Sequence, residues 1–530
     1  MEYVRRPLRS LFLWLEAGLN YCFGTRLNPF AQLGALGFFF YWIVAVSGIY
    51  IYVFFDTGIS EAYDSIEYMT NEQWYLAGVM RSLHRYASDG LIVVMLLHIA
   101  REFAFDRYRD SRWFTWITGV PILWLVYAAG IGGYWLVWDK LAQYIAIATT
   151  EWLDWLPIFG ESIARNFLSP AHLDDRLFTL LIFLHIAVPL ILLLVLWIHL
   201  QRIAKAKYNP DRWLAIPTFV VLMLVSILKP ATSQGPADLA TVPAEVGLDW
   251  FYLAAYPLLD ILSAGEVWAI AFVLTLGLIL LPFLPRKRLG APAEVALASC
   301  NGCGRCVLDC PFNAISLQRR SDGRPFEMEA KVEPKLCVSC GICAGACPTA
   351  IPFRRASALV PGIELPDETM HELRERCHKE GEALSGPARV LLFGCRNGAD
   401  VDRFRGDGVG VVRLPCIGML PPSFIDYVLS RGVADGVVLA GCRVNTCHHR
   451  RGVIWSEARI AGERDPHLRA RVPRERLLTC WAAATDRRKV ERELTEFRER
   501  LAAMAERQDD AGPPPEAAPS EPMPVGGDDD

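Results

Sequence analysis

Six apolar stretches interrupt the first 285 residues, near 31–55, 76–101, 113–138, 178–200, 214–228 and 267–284. Each is long enough, or nearly so, to span a hydrocarbon core. Lipid is therefore the solvent for this half of the chain, and its backbone polar groups must pair within each span as helix. After residue 285 the sequence turns charged and rich in Gly and Pro, so a water-facing part follows. The hydrophobic fraction of 52% and mean hydropathy of +0.23 are high for a wholly soluble protein. The net charge of −4 gives no reason to expect a nucleic-acid partner.

Lys and Arg set the orientation. Arg5, Arg6, Arg9 and Arg26 precede the first span, and the next loop, 56–74, has neither Lys nor Arg. Arg107, Arg109 and Arg112 follow the second span, Arg202, Lys205, Lys207 and Arg212 the fourth, and Arg286, Lys287 and Arg288 the sixth. The alternation predicts a multi-pass protein of the cytoplasmic (inner) membrane, with both termini in the cytoplasm. The start, MEYVRRPLRSLF, lacks the apolar core and small residues of a cleavable signal.

The second span carries His84 and His98, the fourth His185 and His199, and both intervals are 14 residues. At ~100° per residue, 14 steps return to within about 40° of the starting direction after a rise of ~21 Å. Each helix thus shows two imidazoles on one face, separated by most of the hydrocarbon core. Two such helices side by side form two bis-histidine sites, His84 with His185 and His98 with His199. Haem iron takes axial His, and ionisable groups within a membrane are by default functional. The bland alternative is four histidines that only satisfy one another. Gly34 and Gly48 on the first span, and Gly119 and Gly133 on the third, repeat the interval. Glycine admits a flat macrocycle close to the backbone, so a four-helix bundle with two b-type haems is expected; ordinary small-residue packing is the alternative. Arg81 and Arg101 flank the histidine pair as candidates for haem propionates, or simply snorkel.

The segments RSLHRYASD (81–89), GGYWLVWD (132–139) and HIAVP (185–189) resemble cytochrome b of the quinol-oxidising cytochrome bc complexes. PIFGESIARNFLSP (157–170) resembles the segment before that family's fourth helix, and PADLATVPAEVGLDWFYLAAYPLL (236–259) its quinol-site loop. The family's Pro-Glu-Trp-Tyr here reads Leu248, Asp249, Trp250, Phe251. The resemblance implies quinone or quinol as substrate and Asp249 as the site's carboxylate, with a shorter arm than Glu. Only two spans follow the bundle, so the family's final helices are truncated.

Fourteen of the fifteen cysteines lie after residue 299. Residues 300–311 (CNGCGRCVLDCP) and 337–348 (CVSCGICAGACP) are each Cys-x2-Cys-x2-Cys-x3-Cys-Pro. This resembles the bacterial two-cluster ferredoxins, in which three close thiolates wrap one [4Fe–4S] cube and the fourth Cys ligates the other. One cube then takes Cys300, Cys303, Cys306 and Cys347, and the other Cys337, Cys340, Cys343 and Cys310. Zinc is the alternative metal.

ARVLLFGC (388–395), GVVRLPC (410–416) and DGVVLAGC (435–442) are short β-branched runs, each ending in cysteine. They predict a parallel sheet with Cys395, Cys416 and Cys442 at its carboxyl edge, where open α/β sheets bind ligands. Cys447 lies five residues further on. Four thiolates there would hold one [2Fe–2S] cluster, unless some are inert buried thiols; Cys480 is a fifth candidate, whereas Cys377 and Cys22 are not. GCRVNTCHHRRG (441–452) resembles the iron–sulfur delta subunit of methyl-viologen-reducing hydrogenases, which implies a flavin-containing heterodisulfide-reductase-like subunit as partner. That family's Cys-x2-Cys at the first strand end is here Cys395 alone.

The expectation is a multidomain chain. A transmembrane α-helical four-helix haem bundle (1–210) and two further spans with the quinone-site-like loop (211–290) come first. An α+β ferredoxin-like domain (291–355), a linker (356–387), an α/β parallel-sheet domain (388–505) and a disordered tail (506–530) follow. The expected function is electron transfer between a cytoplasmic flavoprotein or ferredoxin and quinone, in a larger complex within membrane lipid, with a homodimer open. A quinol-oxidising core with an added cytoplasmic branch, and a membrane anchor or assembly platform, are the alternatives.

Overall fold

The computed structural model describes residues 2–24, 27–109, 112–158, 163, 168, 175–201, 208–284, 290–354, 358–444, 447–483 and 486–510. Lys and Arg of the loops after the fourth and sixth spans (202–207 and 285–289), and most of 157–170, lie outside these residues. The chain forms two compact units. One comprises Met1–Pro292 with Cys310–Ala314 and Glu333–Ser339; the other comprises Ala293–Asp309, Ile315–Val332 and Cys340–Asp530.

In the first unit an amphipathic helix α1 (Glu2–Phe23) precedes α2 (Leu33–Phe54), α3 (Glu61–Asn71), α4 (Val79–Ala104), α5 (Trp113–Val137) and α6 (Lys140–Asp154). Helices α7 (Asp175–Gln201), α8 (Arg212–Leu228), α9 (Tyr256–Leu259) and α10 (Ala264–Leu280) complete it. Among the described residues four helical segments are long and apolar enough to cross a membrane: Pro29–Phe54, Trp113–Val137, Asp175–Gln201 and Ala264–Phe283. Two further expected spans fall short for separate reasons. Helix α4 carries Arg81, Arg85, Asp89, Arg101 and Glu102, and α8 has only 17 residues. Charges on α4 are tolerated because α2 packs along its length, as α5 does along α7. Tyr41 of α2 donates to the Pro189 carbonyl of α7 at 3.0 Å and ties the two pairs together.

The bundle core joins Tyr41, Ile92, Met95, Ile122, Val126 and Leu192 to Leu141 and Ile145 of α6 and to Tyr252, Leu253 and Tyr256. The loop with Asp249 is thereby packed onto the bundle. Asp139 caps α6 by accepting from the Ala142 amide at 2.9 Å, and also accepts from the Gln234 amide at 2.9 Å, which anchors the start of that loop. Indole N–H groups of Trp116 and Trp124 on α5 bond Leu278 and Thr275, pinning α10 to the bundle.

In the second unit β1 (Glu294–Val295) pairs with β4 (Ile363–Glu364), and β2 (Ile315–Arg319) with β3 (Met328–Val332), both antiparallel. Short helices α11 (Arg305–Asp309) and α12 (Ile342–Gly345) follow the first cysteines of each motif. Gly341 starts α12 with φ +75°, a left-handed turn that other L-residues adopt at a cost.

The last domain is a parallel four-stranded sheet in the order β6-β5-β7-β8: β5 Val390–Cys395, β6 Val409–Leu414, β7 Gly436–Gly441 and β8 Leu477–Trp481. Helices α13 (Met370–Glu382), α14 (Pro422–Ser430), α15 (Gly452–Ala461) and α16 (Arg487–Asp510) accompany it. Phe497 and Leu501 of α16 pack on Val390, Leu392, Val409, Val411 and Val438. The stretch expected as a linker, 356–387, instead contains α13. Thr369 and Glu372 close a capping box at its start, and Met370, Leu373 and Cys377 are buried. Helix α16 likewise runs to Asp510, so 506–510 continue a helix where a disordered tail is expected.

Candidate redox centres

His84 on α4 and His185 on α7 face each other with ring centroids 6.3 Å apart. Two metal–imidazole bonds of about 2 Å, with the ring-centre-to-nitrogen distance added on each side, come to about this separation. His84 Nδ1 lies 2.9 Å from the Val44 carbonyl, an acceptor only, so this nitrogen carries the proton and Nε2 keeps its lone pair. His199 Nδ1 lies 3.0 Å from Thr118 Oγ1, whose hydroxyl donates to the Phe114 carbonyl at 2.9 Å; the Thr oxygen therefore accepts from Nδ1–H. Such hydrogen bonds orient a metal-ligating imidazole.

The four glycines face the four histidines one to one. A Cβ on Gly48 would stand 2.9 Å from His84 Cε1, and one on Gly133 3.0 Å from His185 Cε1. On Gly34 and Gly119 the distances to His98 and His199 Cε1 are both 3.5 Å. The structure therefore brings together Gly48 with His84 and Gly133 with His185 at one level, and Gly34 with His98 and Gly119 with His199 at the other. This donor set, with the space a Cβ would fill left clear, fits haem.

Arg81 and Arg101 lie beyond the histidines at opposite ends of α4, and both are buried. Arg81 bonds Thr70 and, at 2.8 Å, Ser233 Oγ, and lies 3.6 Å from Glu67. Arg101 is paired with Glu16 of α1 at 2.8 Å and lies over the Phe105 ring. Each candidate propionate ligand is thus held in place by a carboxylate from another helix.

Asp249 is 8% exposed. Its Oδ2 accepts from Arg85 at 2.6 Å and from the Tyr134 hydroxyl, and its Oδ1 from the Phe251 amide at 2.8 Å. Arg85 also holds Asp89 at 2.7 Å and lies over the Tyr134 ring. Arg85, Asp89 and Tyr134 are absent from the sequence reading. The available signal was an Arg and an Asp at i, i+4 inside a span, between the two histidines. Ser47 and Thr118 were missed as well; each directly precedes a predicted glycine.

In the soluble part, Cys300, Cys303 and Cys347 lie close enough to Cys306 to add to its shift; burial first, then these neighbours, pushes that thiol up to about 12. These are the four residues assigned to one cube. Cys337 acts on Cys310 in the same sense, although burial is the main cause of its raised value. Cys340 and Cys343 bracket the turn at Gly341 and are buried.

Cys395, Cys416, Cys442 and Cys447 are buried free thiols at the carboxyl edge of the sheet. Cys395 and Cys442 sulfurs are 3.7 Å apart, and a Cβ on Gly452 would strike Cys416 Sγ and stand 3.7 Å from Cys447 Sγ. Hydrogen bonds from Cys416 and Cys442 hold Cys395 and Cys447 well below the usual thiol range, and Cys416 and Cys442 are themselves held well above it. Among the described residues no three His, Cys, Asp or Glu side chains close on one point at single-ion spacing; the thiols touch pairwise. A four-thiolate set of this kind is the chemistry an iron–sulfur cluster requires. Cys480 stands apart, packed with Ala399, Ala482 and Val490.

Residues 20–207 match the family model for cytochrome b/b6/petB. Residues 299–351 match the 4Fe-4S dicluster domain, and 405–505 the delta subunit of methyl-viologen-reducing hydrogenase. The chain is 27% identical to cytochrome b6 of Porphyra purpurea over 181 residues, 34% of this chain and 84% of that protein. It is 22% identical to cytochrome b of Cyanidium caldarium over 310 residues, 54% of this chain and 79% of that protein. A chain of a solved structure described as hyperthermophilic respiratory Complex III aligns at TM-score 0.42 and 22% identity, over 49% of this chain and 76% of that one. The N-terminal part is thus cytochrome b-like, which implies haem b, and the dicluster domain implies iron–sulfur clusters. The chain is a multi-pass membrane protein of electron transfer.

Proposed function

We propose that this chain passes electrons between a cytoplasmic low-potential donor, a flavoprotein or ferredoxin, and the quinone pool. The observation that carries this reading is the one-to-one facing of four glycines and four histidines at two levels of the bundle, in a chain that also holds three cysteine sets. His84 with His185 and His98 with His199 would hold two haems b. Cys300, Cys303, Cys306 and Cys347, and Cys337, Cys340, Cys343 and Cys310, would hold two [4Fe–4S] clusters. Cys395, Cys416, Cys442 and Cys447 would hold a [2Fe–2S] cluster. These groups, when bound, carry single electrons.

The protein's own residues do the rest. Val44 and Thr118 hold the proton on Nδ1 of His84 and His199 and leave Nε2 to bind. Asp249 is the proton-handling carboxylate of the quinone site. Arg85 and Tyr134 both donate to its Oδ2, so a proton arriving at that oxygen from quinol would compete with both contacts.

The test is stopped-flow haem reduction in proteoliposomes, comparing wild type with Cys340→Ser. A reduced low-potential donor should reduce haem b in wild type and at least tenfold more slowly in the variant. Quinol should reduce the haems equally in both. Equal reduction by the cytoplasmic donor in both proteins would overturn the route. Failure of quinol in both would leave the anchoring role as the better reading.

A further inference from the structure

The four-thiol site at the sheet edge is joined to the ferredoxin-like domain by a specific packing contact. Cys416 ends the strand turn and leads into Ile417–Met419. Met419 lies on Gly341, between Cys340 and Cys343: a Cβ there would stand 2.7 Å from Met419 Cγ and Sδ. The Gly418 carbonyl lies against Gly345, and Gly418 itself is 3.1 Å by the same measure from Ile342. A Cβ on Gly345 would strike the Gly418 carbonyl, so a side chain there would force the two turns apart.

One buried cation sits in this joint. Arg459 of α15 is 1% exposed. It donates to the Gly418 carbonyl at 3.0 Å and is ion-paired with Asp309, which is buried as well. Asp309 also takes Arg464, and its carbonyl accepts from Trp455 Nε1 at 3.2 Å. In sequence, Asp309 directly precedes Cys310, assigned with Cys340 and Cys343 to the second-motif cube. Two independent contacts, Met419 on Gly341 and Arg459 on Asp309, thus join the turn after Cys416 to the sequence neighbours of Cys340 and Cys310, both assigned to the second-motif cube. Little water screens a charge buried this deeply, so its field on neighbouring groups is stronger than that of a surface charge.

We infer that the four-thiol centre exchanges electrons with the cube of Cys340 and Cys343, not that of Cys300, Cys303 and Cys306, and that Arg459 positions the two and raises both potentials. The inference rests on the cluster assignments proposed above. In each transfer one electron leaves the reduced four-thiol centre, which is oxidised, and enters the oxidised cube, which is reduced; no bond breaks and no proton is required. A buried positive charge favours the more negative, reduced form of a neighbouring cluster, and net charge and hydrogen bonding are what set such potentials.

The experiment is EPR redox titration of the full-length, iron-replete chain in detergent. In wild type the signal of the four-thiol centre should show spin interaction when the cubes are reduced. Cys340→Ser should abolish that interaction and Cys303→Ser should leave it. Arg459→Gln should lower the midpoints of the four-thiol centre and of the second-motif cube together, Arg459→Lys should restore them, and Asp309→Asn should move the cube upward. If Arg459→Gln loses iron, the opposite shift in Asp309→Asn still decides the matter. Spin interaction that survives Cys340→Ser and disappears in Cys303→Ser would overturn the inference, as would unmoved midpoints in Arg459→Gln and Asp309→Asn. A chain with full iron and no signal from the four-thiol centre would instead overturn the cluster assignment itself.

Discussion

Small differences in space around the histidine rings make different predictions for otherwise equivalent glycines. A methyl group at Gly48 or Gly133 would approach an imidazole carbon at 2.9 or 3.0 Å, closer than side chains tolerate without shifting. At Gly34 and Gly119 the same group would make an ordinary contact at 3.5 Å. Gly48→Ala and Gly133→Ala should therefore disturb the His84–His185 site, at a cost of about 1–3 kcal/mol. Gly34→Ala should be tolerated. Pyridine haemochrome counts and the haem midpoints check this: the first two variants should lose or shift one haem and leave the other, and equal effects at all four positions would refute the graded fit. The histidines and glycines could be read from the sequence because one interval recurs four times. Ser47, Thr118, Arg85 and Tyr134 could not, since their significance lies in partners on other helices: His84, His199 and Asp249.

Elements whose order comes from their own pattern were legible; those that depend on a distant partner were not. Apolar length marks α2, α5, α7 and α10, and β-branched runs mark β5, β6 and β7. Strand β8 is a short run, Leu477–Trp481, that pairs in parallel with β7 after the loop that precedes it. That loop is fastened by Arg471, which donates to the buried Asp426 of α14 at 2.7 Å, with Arg469 3.4 Å away. Burial pushes Asp426 up, but hydrogen bonds from Arg471 and Ser430 outweigh it and leave the carboxyl below its usual range. A carboxylate with a depressed folded value stabilises above its unfolded value, about 3.9, and loses that contribution as pH falls through the folded one. Asp426→Asn should lower the melting temperature of the sheet domain at pH 7, at a cost on the order of 1–3 kcal/mol. The gap between variant and wild type should begin to narrow below about pH 4 and shrink further as pH falls through the folded value. A gap that persists unchanged at pH 3 would mean that the charge of Asp426 is not what fastens the loop.

Across the whole molecule the proposed ligand sets share no residue. Two bis-histidine sites draw on α4 and α7, two cysteine motifs on the turns around α11 and α12, and one four-thiol site on the strand ends of β5, β6 and β7 with Cys447. Separate sets predict separate losses. By the stoichiometries of these clusters the iron-replete chain should contain about ten cluster irons, about four in each cube and about two at the sheet edge, beside about two haem irons. Cys303→Ser should remove about four irons and Cys395→Ser about two, each with both haems retained. His98→Ala should remove about one haem and leave the cluster iron unchanged. Metal analysis, acid-labile sulfide and haem counts on the same preparations check all three variants. Cys395 is informative because it is the only thiol that β5 brings to the site. If Cys395→Ser kept its full iron and sulfide, the sheet edge would hold no cluster through that thiol, and electrons would have to enter at the cubes. If instead any single cysteine change stripped iron from every site, the sets would be one cooperative unit, and the chain would have to be treated as a single metal-dependent fold, not as wired parts.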